Sequence, residues 1–440
     1  MIKTLTSAFK NKDIRKKLLY TLMMLVVIRI GSLLPIPGVD TEYFSTLLSG
    51  FNSGDLSYLS AFTGGSFEKM SLFALSITPY ITSSIIMQLL TIAIPKLEEM
   101  QKEGEDGRKK IASITRYVTI GLALIESIAM AVGFGRQGLI KDYKDMSTIH
   151  YVTCIIVVVA ALTAGSAVLM WIGERITEKG VGNGISIVLL INIISGMPSD
   201  FVTLYSTFVA NKSIARGVTV AVIIAAIVIA VVVLVVILQD GERRIPVQYS
   251  QKVAGRKTIG GQATNIPLKV NTAGVMPIIF ASSIMQFPVI IVQLFTSNSY
   301  EWTKYLSQSY WCRVQMPKYS IGLLLYIILV VVFAYFYTSI TFNPVQIADN
   351  LKKAGGVVPG ITPGRSTSEY LNKILNYIVF IGAVGLMIVA LIPIMCTGFF
   401  NASVSFGGTS IIIIVGVVLE TMKQIESMMV NRNYRGFLSE

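Results

Sequence analysis

Few side chains in this sequence could carry covalent, proton or metal chemistry, and their spacing narrows the choice further. There is one histidine, His150, and three cysteines, Cys154, Cys312 and Cys396. The cysteines are scattered and form no C-x-x-C pair, so neither a metal site nor Cys/His catalysis is expected. Glu126 lies in the apolar run LALIESIAM. A carboxylate at membrane depth is costly and is a functional candidate by default; the alternatives are a protonated, hydrogen-bonded structural carboxyl and a proton carrier. No second carboxylate or histidine in the apolar runs makes a relay with it, which argues against a proton-coupled pump. Gly182 and Gly184 in GERITEKGVGNGIS lack a preceding strand, so they form no phosphate loop. They suit a tight turn or close helix approach, and Asn183 suits a cap or a cross-helix hydrogen bond. Arg29, near the end of its apolar run, reads as a structural residue that snorkels. The remaining polar set is Pro79, Thr82, Ser83, Ser84 and Gln88, all in or beside one apolar stretch. Ile77, Ile81 and Ile85 share one helical stripe of that stretch. Such polar groups serve either interhelical hydrogen bonds or a water-facing pathway. Immediately before them, residues 57–69, SYLSAFTGGSFEK, are too short and too polar to span a bilayer. They suit a half-helix folded back into a cavity.

The elements that must position these residues follow from composition. The chain of 440 residues is 53% hydrophobic and 14% charged, with mean hydropathy +0.67. Apolar runs of that abundance read as bilayer spans of about 20 residues each. Ten are expected, near 18–36, 70–95, 112–134, 150–172, 184–200, 217–238, 273–296, 320–341, 374–397 and 407–422. The basic start leads into a long run with no small-residue cleavage site, so the first span is expected to be its own insertion signal and not a removable leader. An even number of spans places both termini on one side. Most of the 37 lysines and arginines fall in the loops of that side. The positive-inside rule then makes it cytoplasmic and gives the net charge of +13 a topological reading.

Five spans followed by five implies two halves inverted relative to each other, an arrangement that builds a pathway at the interface between them. The expected organisation is a cytoplasmic segment 1–17, an N-terminal half 18–210, a C-terminal half 211–422 and a cytoplasmic tail 423–440. Two cytoplasmic loops are too long to be connections only. Residues 239–272 alternate through RRIPVQYS, turn at Gly255 and Gly260-Gly261, and resume at NIPLKV, which predicts a two-stranded ribbon. Residues 342–373 predict a short amphipathic helix, NPVQIADNLKKAGG, and the Pro/Gly turn VVPGITPG. Paired basic loops suit docking to a large anionic or acidic body.

Read in order, the motifs resemble the SecY family of bacterial protein-conducting channels over nearly the whole chain. The resemblance rests on RIGSLLPIPGVD, ALSITPYITSSIIMQLL followed by EGEDGRKKIASITRY, WIGERITEKGVGNGIS, RRIPVQY, PLKVNTAGVMPIIFASS, FNPVQIADNLKKAGG, PGRSTSEYL and FGGTSIIIIVGVVLE. It implies an all-α multi-pass membrane protein, a clam-shell of ten transmembrane helices in two inverted five-helix halves. Polypeptide would cross through its centre and leave sideways through a lateral gate. By position, the resemblance places a pore ring at Ile77, Ile81, Ile185, Leu189, Ile279 and Ile413. It places gate residues at Thr82, Gln88, Glu126 and Phe287, and a plug at 57–69 with Phe62, Thr63, Gly64 and Gly65. It gives Arg243, Arg244, Lys352, Lys353 and Arg365 to docking of the ribosome or the SecA motor. SecE, SecG, signal sequences, nascent polypeptides and membrane lipids are the other partners implied. No cofactor is implied, the location is the bacterial plasma membrane, and the chain itself is not an enzyme, since it has no P-loop. Two positions depart from the family pattern: Ser76 stands where glycine is usual, and Thr362 where the Pro/Gly turn usually has arginine. The competing classes are a secondary transporter, which needs a compact midplane ligand site and coupling carboxylates, and a membrane enzyme, which needs convergent catalytic groups.

Overall fold

The computed structural model describes residues 9–50, 63–135, 139–140, 147–208, 214–249, 252–254, 257–259, 263–295, 300–313, 316–400 and 408–436. The protein is a bundle of long helices. In chain order these are α1 (Lys12–Leu33), α2 (Thr41–Gly50), α3 (Thr78–Ala93), α4 (Pro95–Lys102), α5 (Glu105–Phe134), α6 (Thr148–Lys179), α7 (Gly184–Phe208) and α8 (Ile214–Asp240). They continue as α9 (Met276–Phe295), α10 (Glu301–Leu306), α11 (Ile321–Thr341), α12 (Pro344–Lys353), α13 (Arg365–Phe400) and α14 (Gly408–Gly436).

Among the described residues, five helices are long and apolar enough to cross a membrane, or six if the bent pair α3 and α4 is one span. This is fewer than the ten apolar runs of the sequence, for reasons that differ by element. Helix α1 carries Lys16, Lys17 and Arg29 within its length. Of α7 and α9, which are 25 and 20 residues long, the count takes in only Gly184–Pro198 and Met276–Val289. Helix α14 continues from an apolar start into the charged residues of the tail. The run 70–95 is not one helix. Ser71 bridges to Pro35, residues 72–77 form turns, α3 starts at Thr78 with Pro79 in its first turn, and the chain bends by 101° into α4. Proline is tolerated at a helix start but pushes its predecessor out of helical conformation. Ile94, before Pro95, accordingly has ψ 111°.

Helices α1, α3, α6, α7, α8, α9, α11, α13 and α14 all contribute to one core, through residues such as Ile28, Ile85, Leu169, Val188, Val231, Phe280, Tyr326, Val389 and Ile412. Their opposite faces expose Val26, Ile156, Ile229, Leu324, Val332 and Phe380. Large apolar side chains on the outside of a bundle are stable against lipid tails and not against water.

The two long loops fold together. Strand β1 (Glu242–Tyr249) pairs antiparallel with β4 (Ala263–Lys269), with Ile245 opposite Ile266, and the short strands β2 (Lys252–Ala254) and β3 (Lys257–Ile259) pair with each other. The ribbon is thus as the alternation predicts. It is also extended: β5 (Gly356–Val357), from the second loop, pairs with the other edge of β1 at Gln248 and Tyr249. Ile245, Val247, Leu268, Leu351, Val358 and Leu371 close a small core between the loops and the start of α13. The second loop's helix, α12, is capped by the Asn343 side chain, which accepts from the amides of Val345 and Gln346 at 3.1 and 3.2 Å.

Candidate functional site

Bulky aliphatic side chains from four helices meet at one cavity of about 750 Å³. Ile81 comes from α3, Ile185 and Leu189 from successive turns of α7, Ile279 from α9 and Ile413 from α14. Tyr80, Ser84, Gln88 and Tyr337 add a polar part to the wall, and Arg116, Glu174, Lys269 and Lys423 add charge. Arg116 Nε donates to Glu174 at 2.6 Å, and Lys423 pairs with Asp240 at 2.7 Å. Five of the six residues expected in a ring therefore line one space. Ile77 does not: it is the residue before α3, 1% exposed, and packs in the bundle core.

The cavity wall is mixed, with the aliphatic belt beside hydroxyl, amide and charged side chains. Its aliphatic belt offers no fixed hydrogen-bonding pattern, so it suits closure by apolar contact and dewetting better than recognition of one ligand.

The polar residues of α3 divide by what they touch. Thr82 donates to the Thr78 carbonyl at 3.1 Å, Ser83 to that of Pro79 at 2.7 Å and Thr91 to that of Met87 at 2.7 Å. These hydroxyls are satisfied four residues back on their own helix. Gln88 differs: its Nε2 reaches Ser84 Oγ at 3.5 Å and its Oε1 is buried without a partner. Glu126 is half-buried on α5 and is not among the cavity-lining residues, while Phe287 on α9 is half exposed. Of the four residues expected at a gate, Gln88 lines the cavity, and Thr82, Glu126 and Phe287 do not.

Phe62 and residues 57–61 lie outside the described residues. From Thr63 the chain makes a tight turn, with Gly64 at φ 63° and Gly65 at φ 79°, and the Ser66 amide donates to the Thr63 carbonyl at 3.3 Å. Phe67 anchors this turn edge-to-face against Phe44 at 5.9 Å and Phe134 at 6.4 Å between centroids. Gly64 fits closely on α7: a Cβ there would lie 2.6 Å from Ser195 Oγ and 2.7 Å from the Asn192 carbonyl. Ser195 Oγ accepts from Arg29 Nη1 at 2.8 Å. Arg29 and Ser195 are both half-buried, so α1 and α7 are joined here by a polar contact that suits the structural role expected of Arg29.

Sequence reasoning passed over Asn192 and Ser195. The available signal was two polar residues, three apart, in the otherwise apolar run IVLLINIIS. Asn183 resolves as a cap, accepting from the Ile185 amide at 3.1 Å.

Arg243 and Arg244 lie exposed on β1, and Lys352 and Lys353 are exposed in the last turn of α12. Arg365 opens α13, with Nε donating to Glu369 at 2.9 Å. Thr362 bonds Ser366 Oγ at 2.9 Å and accepts from Thr367 Oγ1 at 2.9 Å through its carbonyl, so it serves the start of that helix.

The model of the SecY family matches residues 71–422 of this sequence. The chain belongs to the SecY family. A relative named protein translocase subunit SecY, from Streptomyces galbus, is 42% identical over the full length of both chains. The fold is similar to two solved structures at 17% identity each. One, a SecY protein whose plug domain is described as stabilising the closed state, has a TM-score of 0.61 and covers 94% of this chain and 92% of that one. The other, Sec61 in a canine ribosome–channel complex, has a TM-score of 0.57 and covers 94% of this chain and 93% of that one. The SecY match runs from Ser71 to Met422 and so takes in α3 and every cavity-lining residue except Lys423.

Proposed function

We propose that this chain is the channel subunit of a Sec-type protein translocase. It passes unfolded secretory polypeptides across the plasma membrane and releases apolar segments sideways into lipid. It contains ten spans in two inverted halves, with both termini cytoplasmic. The observation that carries the reading is the convergence of Ile81, Ile185, Leu189, Ile279 and Ile413 on one cavity. A belt of branched aliphatic side chains seals without directional bonds and deforms around any side chain that passes. A site for one solute would instead place a few fixed polar groups around a compact pocket.

In this reading residues 63–69 are the described part of the plug at 57–69, and α3 and α9 form the seam of the lateral gate, with Thr82, Gln88, Glu126 and Phe287 along it. The sheet β4–β1–β5 and helix α12 form a docking platform. Arg243 and Arg244 suit phosphate or carboxylate because the guanidinium offers a planar, two-pronged donor. The partners are SecE, SecG, the SecA motor, the ribosome, signal sequences, nascent chains and lipid. Nucleotide hydrolysis belongs to the motor and not to this chain.

The test is site-specific photocrosslinking in membranes. A secretory precursor stalled in transit is expected to crosslink to probes at Ile81 and Ile413, and not to a probe at the lipid-facing Ile229. Equal crosslinking at all three positions, or none at the first two, would refute a central path.

A further inference from the structure

Two stretches of chain converge on one face of α7. Asn192 and Ser195 are three residues apart and so are neighbours on that face. The Asn192 side chain, on a residue 2% exposed, donates to Ser76 Oγ at 2.9 Å. Ser195 has one hydroxyl proton, and it faces two carbonyls, that of Asn192 at 2.9 Å and that of Gly64 at 3.3 Å. Arg29, from α1, fixes the same hydroxyl from the other side. The segment 64–76 is thus tied to α7 at its Ser76 end by a direct bond and at its Gly64 end by a longer one that shares its proton with the Asn192 carbonyl.

This segment is constrained in two ways. Ser76 has φ 54° and Met70 φ 43°, in the left-handed region that side-chain-bearing residues seldom occupy. Such residues keep that conformation only where surrounding contacts over-determine it, and the Asn192 bond is one such contact. The seat also leaves polar atoms unmet. Ser66 Oγ, Ser71 Oγ and Asn192 Oδ1 are buried without a hydrogen-bond partner. Turning the Asn192 amide over does not help, because one of its two polar atoms would bond Ser76 and the other would remain bare. Buried orphaned groups oppose the arrangement that buries them. Core packing of Phe67, Met70 and Ala74 and main-chain bonds of Met70 and Leu72 to residues 34–36 also hold the segment, so the polar contacts to α7 bias a seat that works against backbone strain and unmet polarity.

We propose that Asn192 and Ser195 are positioning residues that latch the segment 64–76 onto α7 and set how readily it leaves its seat. The consequence for transport rests on the channel reading above; the existence of the latch does not.

The experiment uses the full chain in membrane vesicles with Cys154, Cys312 and Cys396 replaced. A reporter, Ser66→Cys or Ser71→Cys, is labelled with a small water-soluble maleimide. Both positions are at most 1% exposed, so labelling reports departure from the seat. Ser195→Ala with Asn192→Ala is expected to raise the labelling rate about threefold to tenfold, the change that one or two membrane hydrogen bonds support. Ser195→Thr keeps the hydroxyl and is expected to restore the slow rate. Each single variant carries the same expectation at smaller size, so the proposal can be decided without the double variant. Unchanged rates at both reporters would overturn it, as would equal acceleration by Ser195→Thr. Export of a secretory precursor is measured in the same vesicles. Export with unaltered labelling removes the latch alone; faster labelling with no export in any variant supports the latch and counts against the channel reading.

Discussion

At the scale of single residues, the hydrogen-bond partner of each polar side chain decides what its replacement does. Thr82 is satisfied by its own helix, whereas Gln88 faces the cavity with an unpartnered oxygen. Gln88→Leu is therefore expected to shift the gating equilibrium by about 1 kcal/mol. Thr82→Leu is expected to have a smaller effect. Export of precursors with weak and strong signal sequences is the measurement: Gln88→Leu should alter the weak ones selectively, and equal change in both would indicate general damage. At the belt, Ile81→Gly with Ile413→Gly opens a void where branched side chains stood. Small-ion leak through reconstituted vesicles should rise severalfold, and an unchanged leak would show that the seal lies elsewhere. Arg365 illustrates a different balance. Its partner Glu369 competes with any external anion, yet the pair is exposed and worth only about 0.2–1 kcal/mol. If Arg365 meets the motor, Glu369→Ala should strengthen motor-driven transport at moderate salt and Arg365→Ala should weaken it, because rim charges act on association and screening. Wild-type behaviour of both across a salt series would assign docking to Arg243 and Arg244 or to α12.

At the scale of elements, start and stop signals fix where the paired loops and the cavity-lining helices lie. Asn343 satisfies two amides at the first turn of α12, immediately before Pro344. Asn343→Ala should cost that helix about 1 kcal/mol. The expected result is faster local amide exchange across 344–353 with the bundle unchanged; protection equal to wild type would mean that burial of Ala348 and Leu351 holds the helix without its cap. Pro79 and Pro95 do the same work for α3, setting its first turn and its sharp bend into α4. These two prolines confine the cavity-facing residues Tyr80, Ile81, Ser84 and Gln88 to one short rod.

At the scale of the whole molecule, the two long loops act as one body because β5 closes onto β1. A Cβ at Gly356 would lie 3.0 Å from Tyr249 and 3.2 Å from both Leu351 and Val247. Gly356→Val should therefore push β5 away from β1 and separate the loops while leaving the membrane bundle folded. Limited proteolysis should cut between residues 353 and 363 faster than in wild type, and ribosome or motor binding should fall with it. Binding lost without new cleavage would point to a direct contact by the altered strand instead.

The bundle, the ribbon and the amphipathic helix were legible in the sequence, because each is written in a local period: apolar runs, the alternation of RRIPVQYS, and the Asn-Pro start of α12. The candidate belt was legible only through resemblance, since no local rule distinguishes Ile81 or Ile413 from other isoleucines in apolar runs. Ile77 shares their stripe, but Pro79 starts the helix after it and leaves it in the core. What only the tertiary structure decided is long-range. Arg29 meets Ser195 over 166 positions of sequence, and Ser76 meets Asn192 over 116. The strand β5 is two residues long and forms only because β1 presents a free edge beside it. Periodicity records which face of an element is buried; it carries no information about which other element does the burying, and these contacts depend on that choice.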